Sequence, residues 1–229
     1  MKYQVKNIYK SFEDLLVLDD ITIDFPANKT TCILGPSGCG KTTLLNIIAG
    51  ILDKDRGEVV GFENKNISFV FQEDRLIEWK NVKDNISFVL KEKKDKNEIE
   101  TIVDKYLKLV NLEEYKYYYP RRLSGGMRQR ISILRAFAYP SDLLLMDEPF
   151  KSLDINNKHI VMDFFKELKD KENRTSILVT HDVEEAINLA DSIVILSDKP
   201  TKVKKVVNNI KKDKIRARKE IEKEILNGM

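Results

Sequence analysis

Cysteine is scarce in this chain, charge excess is nearly absent, and long apolar runs do not occur. Each absence excludes something. The 229 residues include two cysteines, Cys32 and Cys39. One thiol in an apolar strand pattern and one in a glycine-rich turn make neither a disulfide framework nor a metal cluster. Forty basic residues against 37 acidic ones leave a formal net charge of +3. That balance gives no electrostatic footprint for nucleic acid, and no nucleic-acid partner is expected. No stretch approaches the ~18 apolar residues of a membrane span. The opening Met1-Lys2-Tyr3-Gln4-Val5 reads as the polar start of a strand rather than a signal peptide. The expected location is therefore cytosolic, or peripheral on the cytosolic face of a membrane. Internal repeats are also missing, and the length suits one substantial domain with a subdomain.

What is present begins at Gly35-Pro36-Ser37-Gly38-Cys39-Gly40-Lys41-Thr42. This fits G-x-x-x-x-G-K-[ST] at every defined position. Thr30 to Leu34 before it is β-branched and apolar, as a strand should be, and Thr43 to Ala49 after it reads as a helix closed by Gly50. Strand, glycine-rich turn and helix N-terminus together make an anion site, with free backbone N–H groups and a favourable helix dipole. Gly35, Gly38 and Gly40 let the backbone approach a phosphate closely. Lys41 would reach the β- and γ-phosphates, and the Thr42 hydroxyl would ligate Mg²⁺. The pattern occurs once.

Downstream, Leu143-Leu144-Leu145-Met146 ends in Asp147-Glu148. This reads as a buried parallel strand delivering two carboxylates at its C-terminal end. Asp147 would hold Mg²⁺ through water. Glu148 would orient and deprotonate the attacking water, since phosphoryl transfer depends on positioning and charge stabilisation. Leu123-Ser124-Gly125-Gly126-Met127-Arg128-Gln129-Arg130 is the other decisive string. Ser124 is a natural N-cap for a helix whose apolar positions are Met127, Ile131, Leu134 and Ala138. The two glycines expose backbone N–H groups and make a second anion site.

That string, followed by Asp147-Glu148-Pro149, Ser152-Leu153-Asp154 and His181-Asp182, resembles the ATP-binding-cassette ATPases over nearly the whole chain. The resemblance implies an α/β fold: a P-loop NTPase (RecA-like) core with an antiparallel β subdomain and an inserted α-helical subdomain. It implies ATP and Mg²⁺ as ligands, with Pro36, Ser37, Cys39 and Thr43 completing the phosphate loop. It implies that two chains, identical or not, sandwich two ATP molecules head to tail. Ser124, Gly125 and Gly126 would then face the γ-phosphate bound by the opposite subunit, and Asp154 would lie at the dimer interface. Gln72, after Ile67 to Phe71, matches the glutamine that touches Mg²⁺ or the lytic water and senses a membrane partner. His181, ending Ser176 to Thr180, matches the histidine that contacts the γ-phosphate. Phe12 aligns best with the aromatic that stacks on adenine, and Tyr9 is the competing candidate.

Phe71-Gln72-Glu73-Asp74-Arg75-Leu76-Ile77-Glu78-Trp79, with Val82 and Asn85, looks like the same stretch in importers of nitrate, taurine and aliphatic sulfonates. An importer also implies integral membrane permease subunits and an extracytoplasmic substrate-binding protein. A soluble non-transport ATPase of the same family, or the ATPase subunit of an exporter, is the alternative. Several positions depart from the group. Ile77-Glu78 replaces Leu-Pro, and Thr42 replaces the commoner Ser. Lys151 stands where a small residue is usual. The stretch Ile51 to Asn66 is short, which puts the edge of the antiparallel sheet in question. Cys39 inside the phosphate loop suggests that thiol modification would block ATP.

The expected division is a nucleotide-binding core over about 1–73 and 140–229, with a helical subdomain over about 74–139. Within the latter, Val82 to Leu90 and Glu98 to Val110 read as helices. Tyr115, Tyr117, Tyr118 and Tyr119 make either a groove for a partner helix or packing beneath the Ser124 helix. The charged tail from Lys202 to Met229 reads as a solvated terminal helix with a thin stripe of Ile215, Ile221 and Ile225, or as a contact for anionic lipid.

Overall fold

A computed structural model describes residues 2–171 and 174–226. Four apolar runs are buried at every position and form the centre of one sheet. These are β3 (Thr30–Leu34), β6 (Leu143–Asp147), β7 (Thr175–Thr180) and β8 (Ser192–Leu196). Burial on both faces is why they read as continuous apolar strands rather than alternating ones. With β5 (Ile67–Val70) and β9 (Val203–Asn208) they give the order β5-β6-β7-β3-β8-β9. All pairs are parallel except β8–β9. A smaller antiparallel sheet, β2-β1-β4, comprises β1 (Lys2–Phe12), β2 (Leu15–Pro26) and β4 (Arg56–Val60). Its edge forms despite the short segment after Ile51, because β4 pairs Val60 with Gln4 and Glu58 with Lys6. Gly57 is required there. Its φ is +96°, and a Cβ would lie 2.2 Å from the Asn7 carbonyl oxygen.

Seven α-helices are described: α1 (Lys41–Ile48), α2 (Val82–Ser87), α3 (Lys96–Leu109), α4 (Gly125–Ala138), α5 (Ile155–Lys171), α6 (Val183–Leu189) and α7 (Lys214–Leu226). Strand alternation sends Ile33 to one face of the large sheet and Cys32 and Leu34 to the other. On the first face, Ile33, Leu145 and Val194 pack with Leu44 and Leu45 of α1 and with Ile8, Ile23 and Phe25 of the small sheet. On the second, Leu144, Met146, Leu178 and Ile193 pack with Ile131 and Leu134 of α4, Phe165 of α5 and Ile221 of α7. The large sheet is thus covered on both sides, and its strand ends are left to carry the loops.

Two sequence expectations need correction. The helix over Val82 to Leu90 stops at Ser87, and residues 88–94 form turns. Leu90 N bonds to Ser87 O, and Lys93 N and Lys94 N bond to Leu90 O, so the last apolar residue closes a turn. The polar run after it offers no face to bury. The tail differs more. Residues Val203–Asn208 complete the large sheet against β8, and Ala217 and Ile221 of α7 are buried at 4% and 0% exposure. Ile215, by contrast, points to solvent. The tail to Leu226 is a structural layer, and residues 227–229 lie outside the described residues. Of the tyrosine cluster, Tyr115 is half-buried against the core, whereas Tyr117, Tyr118 and Tyr119 are exposed. Packing beneath the Ser124 helix therefore accounts for Tyr115 only.

Candidate nucleotide site

The parallel strands β3, β6 and β7 are neighbours, and each ends in a loop that carries candidate chemistry. Ligands bind at such carboxyl ends in open α/β sheets. After β3 the loop 35–40 turns into α1. Pro36, Ser37, Gly38 and Thr42 are exposed, whereas Cys39 and Lys41 are buried. The Lys41 Nζ donates to the carbonyls of Gly35 at 2.9 Å and Pro36 at 2.7 Å, so the ammonium sits inside the loop. The first turn of α1 carries no acidic residue and no side-chain cap. Its amides are left for an anion. Gly40 holds φ +107°, and a Cβ there would meet Val17 Cγ1 at 2.8 Å and Leu18 Cδ2 at 3.0 Å. Thr201, fully buried, donates its hydroxyl to the Cys39 carbonyl and supports the loop from behind.

Cys39 corrects one expectation. Its side chain is 2% exposed and lies under Gly35. Burial pushes its thiol up, against the pull of the Lys41 ammonium, and the net is upward. Thiolate is the reactive form, so the folded loop should resist alkylation. With excess iodoacetamide at pH 7.5, Cys39 should react at least ~10-fold more slowly in the folded chain than in urea, by peptide mass spectrometry. Equal rates would contradict the buried placement.

Asp147 closes β6 at 4% exposure. Its Oδ1 is buried and has no hydrogen-bond partner among the described residues. Burial pushes this carboxyl up; Thr42 and Lys41 oppose that, and the net is upward. Glu148 follows with φ +43°, its N–H donating to the Val179 carbonyl at 2.9 Å. A left-handed non-glycine residue held by a neighbouring strand is the kind of strain that collects at functional sites. Its Oε1 lies 3.4 Å from His181 Nδ1 and its Oε2 lies 2.8 Å from Lys151 Nζ. Burial pushes the Glu148 carboxyl up, but Lys151 and His181 outweigh it and hold it below the ordinary value.

Gln72 is exposed just after β5. It lines a groove with Gly125, Gln129 and Ser152, whereas His181 lines a cleft with Gly35 and Pro36. Glu148 thus meets His181, and Asp147 interacts with Thr42 and Lys41 of the phosphate loop, whereas Gly125 shares its groove with Gln72. Ser124 is the N-cap of α4, its Oγ accepting from Met127 N at 3.3 Å, and Ser124 and Gly125 are exposed. Gln129 Nε2 donates to the Pro149 carbonyl at 3.0 Å, tying α4 to the acid loop. Arg128 ties α4 to the Gln72 loop. Its Nε donates to Asp74 Oδ2 at 2.8 Å, and a second nitrogen reaches Glu78 at 2.6 Å. Glu78, the departure from Leu-Pro, thus supplies an extra carboxylate. Fully buried Asn85 accepts from Ile77 N and donates to the carbonyls of Ile77, Lys80 and Asn81, which leaves Trp79 80% exposed.

Asp154 is exposed ahead of α5, its carboxylate accepting from Asn157 N at 3.0 Å. Phe12 is 45% exposed where β1 turns into β2, with the Lys10 ammonium 5.5 Å from its ring centre. Tyr9 is half-buried and paired with Arg56 across the small sheet. Sequence reasoning missed Thr201, just ahead of the charged tail, and the partner of Lys151, which follows Glu148 across a single turn.

A family model described as ABC transporter matches residues 18–151. The sulfate/thiosulfate import ATP-binding protein CysA of Burkholderia mallei is 40% identical over 211 residues, covering 86% of this chain and 60% of that protein. An uncharacterized ABC transporter ATP-binding protein of Methanocaldococcus jannaschii, MJ0412, is 38% identical, covering 90% of this chain and 82% of its own length. The dimeric structure of the bacterial ABC transporter cassette MJ0796 superposes with a TM-score of 0.80 at 27% identity, over 91% of this chain and 98% of that one. Its post-hydrolysis state, bound to ADP and Pi, gives 0.79 at 28%. The chain belongs to the ABC transporter family. It spans about 60% of the length of the CysA relative.

Proposed function

We propose that this chain is the energy-coupling ATPase subunit of an importer for a small oxyanion. The observation that carries the reading is the meeting of three strand ends, with Glu148 3.4 Å from His181 and Asp147 interacting with Thr42 and Lys41. Loop amides and Lys41 would bind the β- and γ-phosphates. Phe12 would stack on adenine. Glu148 would take one proton from water as the water oxygen bonds to the γ-phosphorus and the bond to the ADP oxygen breaks. His181 would steady Glu148 and reach the γ-phosphate. Mg²⁺ fits the residues present: Asp147 Oδ1 is buried without a hydrogen-bond partner among the described residues, and the Asp147 carboxyl interacts with the Thr42 hydroxyl. Asp147 and Thr42 would hold that ion, with Gln72 reaching it from the adjoining groove, and the bound ion would neutralise phosphate charge.

Ser124 and Gly125, exposed at the start of α4, together with Gly126 suit an ATP held by a second copy or a close homologue, with Asp154 at the interface. Residues 74–139 would act as the helical subdomain, its exposed Trp79 and Tyr117 to Tyr119 facing a permease. Attachment to the permease would be peripheral, on the cytoplasmic face; no described helix is long and apolar enough to cross a membrane. The CysA relatives favour sulfate or thiosulfate as the solute. The Phe71 to Trp79 stretch favours the nitrate, sulfonate or taurine group. Isolation from native membranes in mild detergent tests the reading. A multi-span protein and a substrate-binding protein should come with the chain, and the latter can be screened for oxyanions. Soluble partners alone would overturn it.

A further inference from the structure

Glu148 has His181 Nδ1 beside its Oε1 and the Lys151 ammonium beside its Oε2, and the second partner has no role in the chemistry described above. The Lys151 Nζ lies 2.8 Å from Glu148 Oε2, while the Lys151 side chain is 49% exposed and that of Glu148 10%. One end of the pair is therefore anchored and the other is free to leave. Lys151 also directly precedes Ser152, which lines the groove shared with Gln72 and Gly125, and lies three residues before exposed Asp154.

We propose that Lys151 is a restraining residue that holds the Glu148 carboxylate in a resting arrangement and keeps hydrolysis slow until the 151–154 loop is displaced. The inference rests on the reading of Glu148 as general base. A free glutamate is already ionised at neutral pH, so a cation is not needed to ready it. The Lys151 ammonium, 2.8 Å from Oε2, forms an ion pair that leaves that oxygen without a hydrogen bond, and it stands where an attacking water would have to approach the carboxylate. An ion pair with one exposed partner is weak enough to be broken by a docking surface. His181 remains on Oε1 when Lys151 leaves, so the carboxylate keeps one orienting contact.

The test is steady-state ATP turnover by the full chain with Mg²⁺, in four variants. Lys151→Met should raise kcat about 3- to 10-fold with KM unchanged within about twofold. Lys151→Arg should remain within about twofold of the parent, because the charge is kept. Glu148→Gln should abolish turnover, and adding it to Lys151→Met should abolish the gain. An unchanged or lower kcat in Lys151→Met, with Glu148→Gln inactive, would overturn the restraint while leaving the base reading intact. Full turnover in Glu148→Gln would overturn the base reading itself. Lys151 is half exposed, so thermal unfolding should be nearly unchanged, and a turnover change accompanied by a large loss of stability would count against the proposal.

Discussion

Glu148→Gln should bind ATP with near-normal affinity and hydrolyse it about 10²- to 10⁴-fold more slowly, the usual worth of a general base. The amide keeps the size of the side chain and can still accept from His181, so the fold and the nucleotide cleft should persist. It cannot take a proton from water. Lys151 loses its anionic partner, but that pair is exposed at the lysine end and contributes little stability. Single-turnover measurement with fluorescent or radiolabelled ATP separates binding from chemistry. Loss of binding together with turnover would indicate that Glu148 supports the cleft rather than the reaction. Near-normal turnover would remove it from the role of base.

Lys41→Ala should have the opposite signature. Lys41 is 4% exposed and its ammonium makes bonds of 2.9 and 2.7 Å to the loop carbonyls, so it is held where a phosphate would meet the loop amides. Charged hydrogen bonds are worth about 1.5–3 kcal/mol each. Loss of the cation should weaken ATP binding by roughly 100-fold or more, read by equilibrium titration. Lys41→Arg should restore little, because the buried loop has no room for a planar fork. Unimpaired ATP binding in the alanine variant would place the phosphates elsewhere.

The site was legible in the sequence wherever local pattern and chemistry coincide. Lys41 and Thr42 follow glycines at a set spacing, and Asp147-Glu148 ends an apolar run, so their meeting at the ends of β3 and β6 follows from two buried parallel strands. Ser124 as a cap needed only its own helix. The capping box of α3, with Asp95 and Glu98, shifted that helix start two residues from the expected Glu98. What escaped depends on long-range contact. Thr201 lies 162 residues from the Cys39 carbonyl it supports, and nothing local marks it. The tail looked solvated because its charges dominate its composition, yet β9 needs only an edge to pair with and α7 only Ala217 and Ile221 to pack. Cys39 looked reactive by its address in the loop. Its burial beneath Gly35 is a matter of turn geometry, which the string of letters does not give.

The mass of the Glu148→Gln chain in solution, with and without ATP, tests most directly whether two copies close on nucleotide. Multi-angle light scattering should show a monomer alone and a dimer with ATP. Ser124→Arg in the same background should keep ATP binding and abolish the dimer, since Ser124 is exposed at the start of α4. A chain that stays monomeric with ATP fully bound, or a dimer indifferent to Ser124→Arg, would contradict the sandwich and with it the coupling of hydrolysis to a partner.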